Sequence, residues 1–171
     1  MSAVMVTTLG LLIFPALMAF AAASDLFTMT ISNRVALALI AGFLVMAAMV
    51  GMAPTAIAGH VGAAALVLVL GFVCFARGWI GGGDAKLAAA TALWFGFDQL
   101  LNYLLISSVL GGALTLLILQ FRALPLPAAL VAQDWIHRLH EPKAGVPYGI
   151  ALAAAALLVY PDSALMKAIA G

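Results

Sequence analysis

Two carboxylates stand out among the six acidic residues of the chain: Asp25, at the end of a long apolar run, and Asp84, directly after Gly81-Gly82-Gly83. Carboxylates at membrane depth are expensive and tend to mark functional sites. If these two meet, they cannot both ionise cheaply, so the pair shares one proton. One member can then act as a base toward a water that attacks a peptide carbonyl, while the protonated member supports the developing oxyanion and later the leaving amine. That chemistry needs no metal and no cofactor. Three consecutive glycines before Asp84 allow a tight turn, φ > 0 and close approach to a neighbouring helix or an extended substrate. Each aspartate also has a plain structural reading. Asp84 opens a helix and can cap its free N–H groups, and Asp25, after Ser24, can be a solvated loop carboxylate.

The elements that must position these residues are set by composition. The chain is 67% hydrophobic and 8% charged, against about 25% charged residues in a soluble domain. Such a surface cannot be covered with polar groups in water, and the solvent is a lipid bilayer. Lipid leaves backbone polar groups unpaired, so only helices or closed barrels cross it, and the Leu/Ala/Val runs lack the two-residue alternation of barrel strands. The expected fold is all-α and polytopic, with about six transmembrane helices near 4–24, 35–52, 56–76, 85–97, 100–120 and 146–160. Breaks fall at Asn33 and Arg34, at Ala53-Pro54-Thr55, from Arg77 to Asp84, at Phe97-Asp98-Gln99, and from Phe121 to Gly145. Residues 1–171 read as one transmembrane domain with a cytoplasmic or interfacial loop at about 121–145. The run ending Ala21-Ala22-Ala23-Ser24 resembles a signal-peptide cleavage site, but no Lys or Arg precedes it, so it reads as a retained first span. The single cysteine, Cys74, excludes an intrachain disulfide and a Cys-rich zinc module, and a net charge of +1 gives no footprint for nucleic acid.

With six crossings, Arg34, Arg77, Lys86, Arg122, Arg138 and Lys143 share one side and only Lys167, of the seven basic residues, falls on the other. The positive-inside rule assigns the crowded side to the cytoplasm and both termini to the outside. The fourth span is short, at about 20 Å of helical rise, but without it the charge bias disappears. Two crossings separate Asp25 from Asp84, so both face the same compartment.

Three islands carry a resemblance to the prepilin peptidases, the type IV leader peptidase family of aspartyl proteases, and most to their short branch serving Flp or tight-adherence pili. Asp25-x5-Ile31-Ser32-Asn33 is similar to the family's aspartate followed by Ile-Pro-Asn. Gly81-Gly82-Gly83-Asp84-Ala85-Lys86 fits Gly-x-Gly-Asp-x-Lys, and Val146-Pro147-Tyr148-Gly149 resembles a Pro-Tyr-Gly entry to the last span. The resemblance implies Asp25 and Asp84 as the catalytic pair, with Gly81, Gly83, Lys86 and Asn33 as supporting positions. It also implies the substrate: a prepilin whose short basic leader is cut on the cytoplasmic side, after a glycine and before the hydrophobic helix. Ser32 stands where the family has proline, and Leu26 to Thr30 lacks the arginines often present there. Larger members carry a four-cysteine domain and N-methylate the new pilin terminus; with Cys74 alone, the resemblance extends to peptidase activity and not to methyl transfer.

Other positions read more plainly. Lys86 is either a cation snorkelling at a helix end or one that orients Asp84 and the leader. His60 has no second His, Cys or acid at metal spacing and reads as a packing or interfacial histidine. Pro127 to His140 reads as a short surface helix with Val131, Trp135 and Leu139 at a spacing of four. Trp79, Trp94, Tyr103, Tyr148 and Tyr160 suggest an interfacial belt, and Gly51, Gly59, Gly62, Gly71, Gly111 and Gly112 close helix packing. Two competing functions remain. One is another Gly-x-Gly-Asp intramembrane protease, which would usually show a Tyr-Asp pair in the preceding span, absent here. The other is a small ion-coupled transporter, which would favour acids deep inside spans.

Overall fold

The computed structural model describes residues 3–127, 130 and 132–170. The expected all-helical membrane fold is what the chain adopts. Four helices come first: α1 (Ala3–Thr28), α2 (Asn33–Met49), α3 (Pro54–Ala76) and α4 (Gly82–Ala123). A short α5 (Asp134–His140) lies in the loop, followed by α6 (Gly149–Val159), a 3-10 turn (Tyr160–Asp162) and α7 (Ala164–Ala170). Met5–Thr28, Pro54–Ala76 and Gly82–Ala123 are long and apolar enough to cross a membrane, and Asn33–Met49 and Gly149–Asp162 are shorter apolar helices.

Local chemistry explains most of the boundaries. Ser32 caps α2 by accepting the Arg34 N–H at 3.2 Å, and Pro54 begins α3, where its missing N–H leaves no gap. Helices α2 and α3 both end on a left-handed glycine, Gly51 (φ 66°) and Gly78 (φ 73°). In each, the next N–H reaches back into the last turn, Met52 to the Ala47 carbonyl at 2.9 Å and Trp79 to the Cys74 carbonyl at 3.0 Å. Gly51 is therefore a helix terminator, and a side chain there would meet nothing within 4 Å, contrary to the packing role expected of it. Gly59 and Gly112 are equally open, whereas Gly71 lies against Ala85 and Gly111 against the Tyr148 ring.

The break expected at Phe97-Asp98-Gln99 falls one residue earlier. Gly96 adopts φ 59°, ψ −167°, and the chain reverses there between two helical arms. The two arms of α4, 82–95 and 97–123, then pack side by side, so that Leu100 joins Ala89 and Ala92 in one buried cluster. A break of this kind frees a carbonyl in the preceding turn. His60 of α3 takes it up: its ring Nδ1–H donates to the Leu93 carbonyl at 2.7 Å, and the ring fills the space over Gly96. His60 is thus a packing histidine with a specific task. Gly96→Ala would place a Cβ 3.1 Å from that ring on a left-handed backbone, and we expect it to lower unfolding free energy by about 2–4 kcal/mol. His60→Ala, which orphans the Leu93 carbonyl, should cost about 1–3 kcal/mol. Both are read from thermal or denaturant unfolding in detergent.

The core lies where α6 packs between α1 and α4, with α2 against α1 and α4 and α3 laid along α4. Its aromatic centre corrects the expected belt: Trp94 and Tyr103 are fully buried and Tyr160 nearly so, while Trp79 is exposed. Phe14 stacks on Tyr160 at 4.3 Å and meets Trp94 at 4.8 Å. The polar tips are satisfied by backbone carbonyls, Trp94 Nε1–H by Leu39 at 3.0 Å and Tyr160 Oη–H by Gly10 at 2.8 Å. Of the helix expected over Pro127 to His140, Leu130 and Asp134–His140 are helical, and residues 128, 129 and 131 lie outside the described residues.

Candidate active site

Asp25 is not a loop residue. Helix α1 continues past Ala21-Ala22-Ala23-Ser24 and ends only at Thr28, which puts Asp25 in its last turn. The exit is tied down locally. Met29 adopts a left-handed conformation and returns its N–H to the Asp25 carbonyl at 2.8 Å, while Ser24 and Thr28 side chains bond the Thr30 and Ser24 carbonyls. The Asp25 side chain is 5% exposed, which excludes the solvated reading. Its Oδ2 accepts the Gly149 N–H at 2.7 Å, one of the free donors at the start of α6. A carboxylate held at a helix N-terminus is well placed by the helix dipole.

Asp84 occupies the third position of α4, after the Gly81 cap. Its carboxylate folds back over Gly81, with Oδ2 2.9 Å from where a Cβ of that residue would stand. The capping role is therefore real, a half capping box, and it leaves the rest of the carboxylate free. Asp84 is half-buried and its charge interacts with that of Asp25. Of the uses expected of the glycines, close approach is taken up and positive φ is not. None of Gly81, Gly82 and Gly83 has positive φ; their value is proximity. A Cβ on Gly83 would stand 3.2 Å from the Ile31 Cβ, and one on Gly82 3.3 Å from the Phe75 ring.

Ile31 is the hinge of the site. On one side it touches Gly83; on the other its Cδ1 would lie 2.7 Å from a Cβ on Gly149. The three islands of sequence thus close around one point, with Asp25, Asp84 and Gly149 on its rim. Of the supporting positions, Asn33 and Lys86 are paired with each other. Lys86 Nζ donates to Asn33 Oδ1 at 2.9 Å and ties the start of α2 to the start of α4. Both are exposed, so Lys86→Met should reduce activity less than about tenfold and stability by about 0.5–1 kcal/mol, as measured by initial rates and unfolding.

Residues not singled out for the site also belong to it. Tyr148 precedes Gly149, packs its ring against Gly111 and donates its hydroxyl to the Ser107 carbonyl at 3.2 Å. Burial raises its phenol above the ordinary value and the Asp84 charge adds to the rise, so it remains a neutral donor beside the carboxylates. The loop helix closes the same end: Arg138 donates to the Phe27 carbonyl at 3.1 Å, and Trp135 meets the Phe27 ring edge-on at 5.5 Å. Arg122 fastens the far side of that loop through the Leu139, Ala144 and Gly145 carbonyls. Tyr148 stood in the Pro147-Tyr148-Gly149 island, but a tyrosine at a helix end carries no sequence mark that separates a site residue from an interfacial one.

Asp25, buried, and Asp84, half-buried, are both held by backbone N–H groups at helix starts. No group of three or more His, Cys, Asp or Glu suited to a metal ion occurs among the described residues. No curated protein and no solved structure matches the chain. A sequence profile of the type IV leader peptidase family matches residues 12–116, a stretch that contains both Asp25 and Asp84 and stops short of Tyr148 and Gly149. The chain is a membrane peptidase and belongs to the type IV leader peptidase family.

Proposed function

We propose that the chain is an aspartic endopeptidase that removes the short basic leader from prepilins of the Flp or tight-adherence kind, at the cytoplasmic face of the inner membrane. The observation that supports this reading is the convergence of Gly83, next to Asp84, and of Gly149, bonded to buried Asp25, on Ile31. One carboxylate takes a proton from water as its oxygen attacks the scissile carbonyl. The other, protonated, bonds the developing oxyanion and passes its proton to the leaving amine. The Gly149 N–H fixes the Asp25 oxygen it bonds, so the second oxygen is the one available to water.

The cytoplasmic assignment is supported by the cations around this end of the bundle. Lys86, Arg122 and Arg138 all bond groups near it, whereas Lys167 belongs to α7, whose Ile169 packs at Gly10 toward the start of α1. An apolar groove of about 530 Å³ between α2 and α3, floored by Ala89 and Ala90 and ending at Lys86, suits a substrate that carries a hydrophobic helix.

The test is co-expression with a Flp-type prepilin, following leader removal by wild type and by the two Asp→Asn variants described below. Normal cleavage by either variant removes the dyad. Cysteine accessibility at positions 25 and 84, in a Cys74→Ala background, should report both from the cytoplasmic side; labelling from opposite faces overturns the topology.

A further inference from the structure

The proposed reaction uses the two aspartates and leaves a second polar cluster in the same core without a role. Tyr103 is fully buried and Ser107 nearly so. Their hydroxyl oxygens are sealed from solvent and lack a hydrogen-bond partner. Thr91, also fully buried, turns its hydroxyl to the Met18 sulfur at 3.8 Å, a weak acceptor. The hydroxyls of Thr91, on the first arm of α4, and Ser107, on the second, both face the Tyr103 phenol.

A serine in a helix can always satisfy itself on the carbonyl four residues back. Ser108 and Thr115 on the same arm do so, each at 2.8 Å. Ser107 does not, although the Tyr103 carbonyl is available to it. Its hydroxyl is turned inward, where Tyr103 and Thr91 also converge, and in lipid no solvent relieves such a group. Buried hydroxyls left over in this way are the partners that internal water takes, commonly about three to a molecule.

The cluster connects to the candidate dyad. The Ser107 carbonyl accepts the Tyr148 hydroxyl at 3.2 Å, and Gly149, next along, donates to Asp25 at 2.7 Å. Thr91 follows Asp84 by seven residues on the first arm of α4, two turns along the same face, and Tyr103, which Thr91 faces, and Tyr148 both lie within range of the Asp84 charge. We propose that Tyr103, Ser107 and Thr91 hold an internal water behind Asp84, and that Tyr103 is a positioning residue that acts on Asp84 through it. The ionisable groups around Asp84 are then Asp25 from α1, Tyr103 from the second arm of α4 and Tyr148 ahead of α6; Lys86 is turned away to Asn33 on α2. The role in catalysis rests on the proposed function; the hydrated cluster does not.

The experiment uses the full chain in detergent or bilayers, with Tyr103→Phe, Ser107→Ala and the double variant. Three readouts are taken. The first is melting temperature. The second is the pH dependence of Asp84 modification by a hydrophobic carbodiimide, which reacts with protonated carboxyls, followed by mass spectrometry with Asp84→Asn as the blank. The third is kcat and KM for prepilin cleavage. Tyr103→Phe should melt about 2–4 °C lower, and its labelling curve should move toward higher pH by about half a unit as the carboxylate loses a donor. Its kcat should fall about tenfold with KM unchanged. The double variant should be little worse than the worse single one, because both break one network.

A labelling curve identical to wild type overturns the proposal, whether the variant melts lower or not, since a merely structural tyrosine leaves Asp84 untouched. Unchanged or raised melting overturns it as well, because removing a dry, unpaired hydroxyl relieves a cost. If the melting and labelling changes appear but wild type cleaves no prepilin, the hydrated cluster stands and the proposed substrate falls.

Discussion

Asp25→Asn and Asp84→Asn should each slow leader cleavage by about 10²–10⁴-fold with the protein still folded. The two substitutions are nearly isosteric. An asparagine at 25 keeps an oxygen that can accept the Gly149 N–H now bonded at 2.7 Å, and one at 84 can still fold back over Gly81. What is lost is the proton. An amide neither takes one from water nor gives one to the leaving amine, so the defect should appear in kcat far more than in KM. The pair also dictates the shape of the pH profile. At low pH both carboxyls are protonated and no base remains; at high pH both are ionised and no acid remains. Cleavage should therefore rise and fall in a bell, with limbs that belong to the coupled pair and not to either residue alone. The double variant should be no slower than the slower single one, because the residues act as a unit. Initial rates with purified prepilin across pH, beside an unfolding curve for each variant, decide the matter; a monotonic profile would contradict a shared proton.

Gly149→Ala should cut cleavage by about 10²-fold while moving stability comparatively little. The added Cβ would stand 2.8 Å from Asp25 Oδ2 and 2.7 Å from Ile31 Cδ1. Both are the far ends of side chains, so they can give way, and the resulting overpacking costs about 1–3 kcal/mol. Alanine in place of glycine returns up to about 1 kcal/mol of helix propensity at the start of α6. The two terms partly cancel in the fold. They do not cancel at the site, where Asp25 must leave the position from which it meets Asp84, and a displacement of about 1 Å is enough to cost about 10²-fold. Gly149→Val should do more of both. Gly149 lies outside the stretch that matches the family profile, so this variant tests the Asp25 geometry at a residue the profile does not cover. Retained activity in Gly149→Ala would mean that the Gly149 N–H does not hold a working carboxylate.

The unequal outcome for the glycines shows where sequence reading stops. Gly51 and Gly96 look alike as isolated glycines in apolar surroundings, yet one terminates α2 into open space and the other reverses α4 beneath the His60 ring. Gly81 to Gly83 offered both positive φ and close approach, and only the second is used, Gly82 admitting Phe75 and Gly83 admitting Ile31. A backbone dihedral or a near contact depends on what arrives from elsewhere in the chain, and no local pattern records it.

By itself, the sequence determined that this is an all-helical membrane protein, where most of its helices run, and that Asp25 and Asp84 are the carboxylates to watch. Those properties follow from the length of apolar runs, from the cost of unpaired backbone in lipid, and from the price of charge at membrane depth, all of which act locally along the chain. Only the tertiary structure decided that Asp25 is buried and bonded by Gly149, that Asp84 folds over Gly81 within reach of its charge, and that the Tyr103 and Ser107 hydroxyls are left over in the core. Those contacts join residues of α1, α4 and α6 that are far apart in the chain, and their meeting is set by how whole helices pack, which the periodicity of any one of them does not contain.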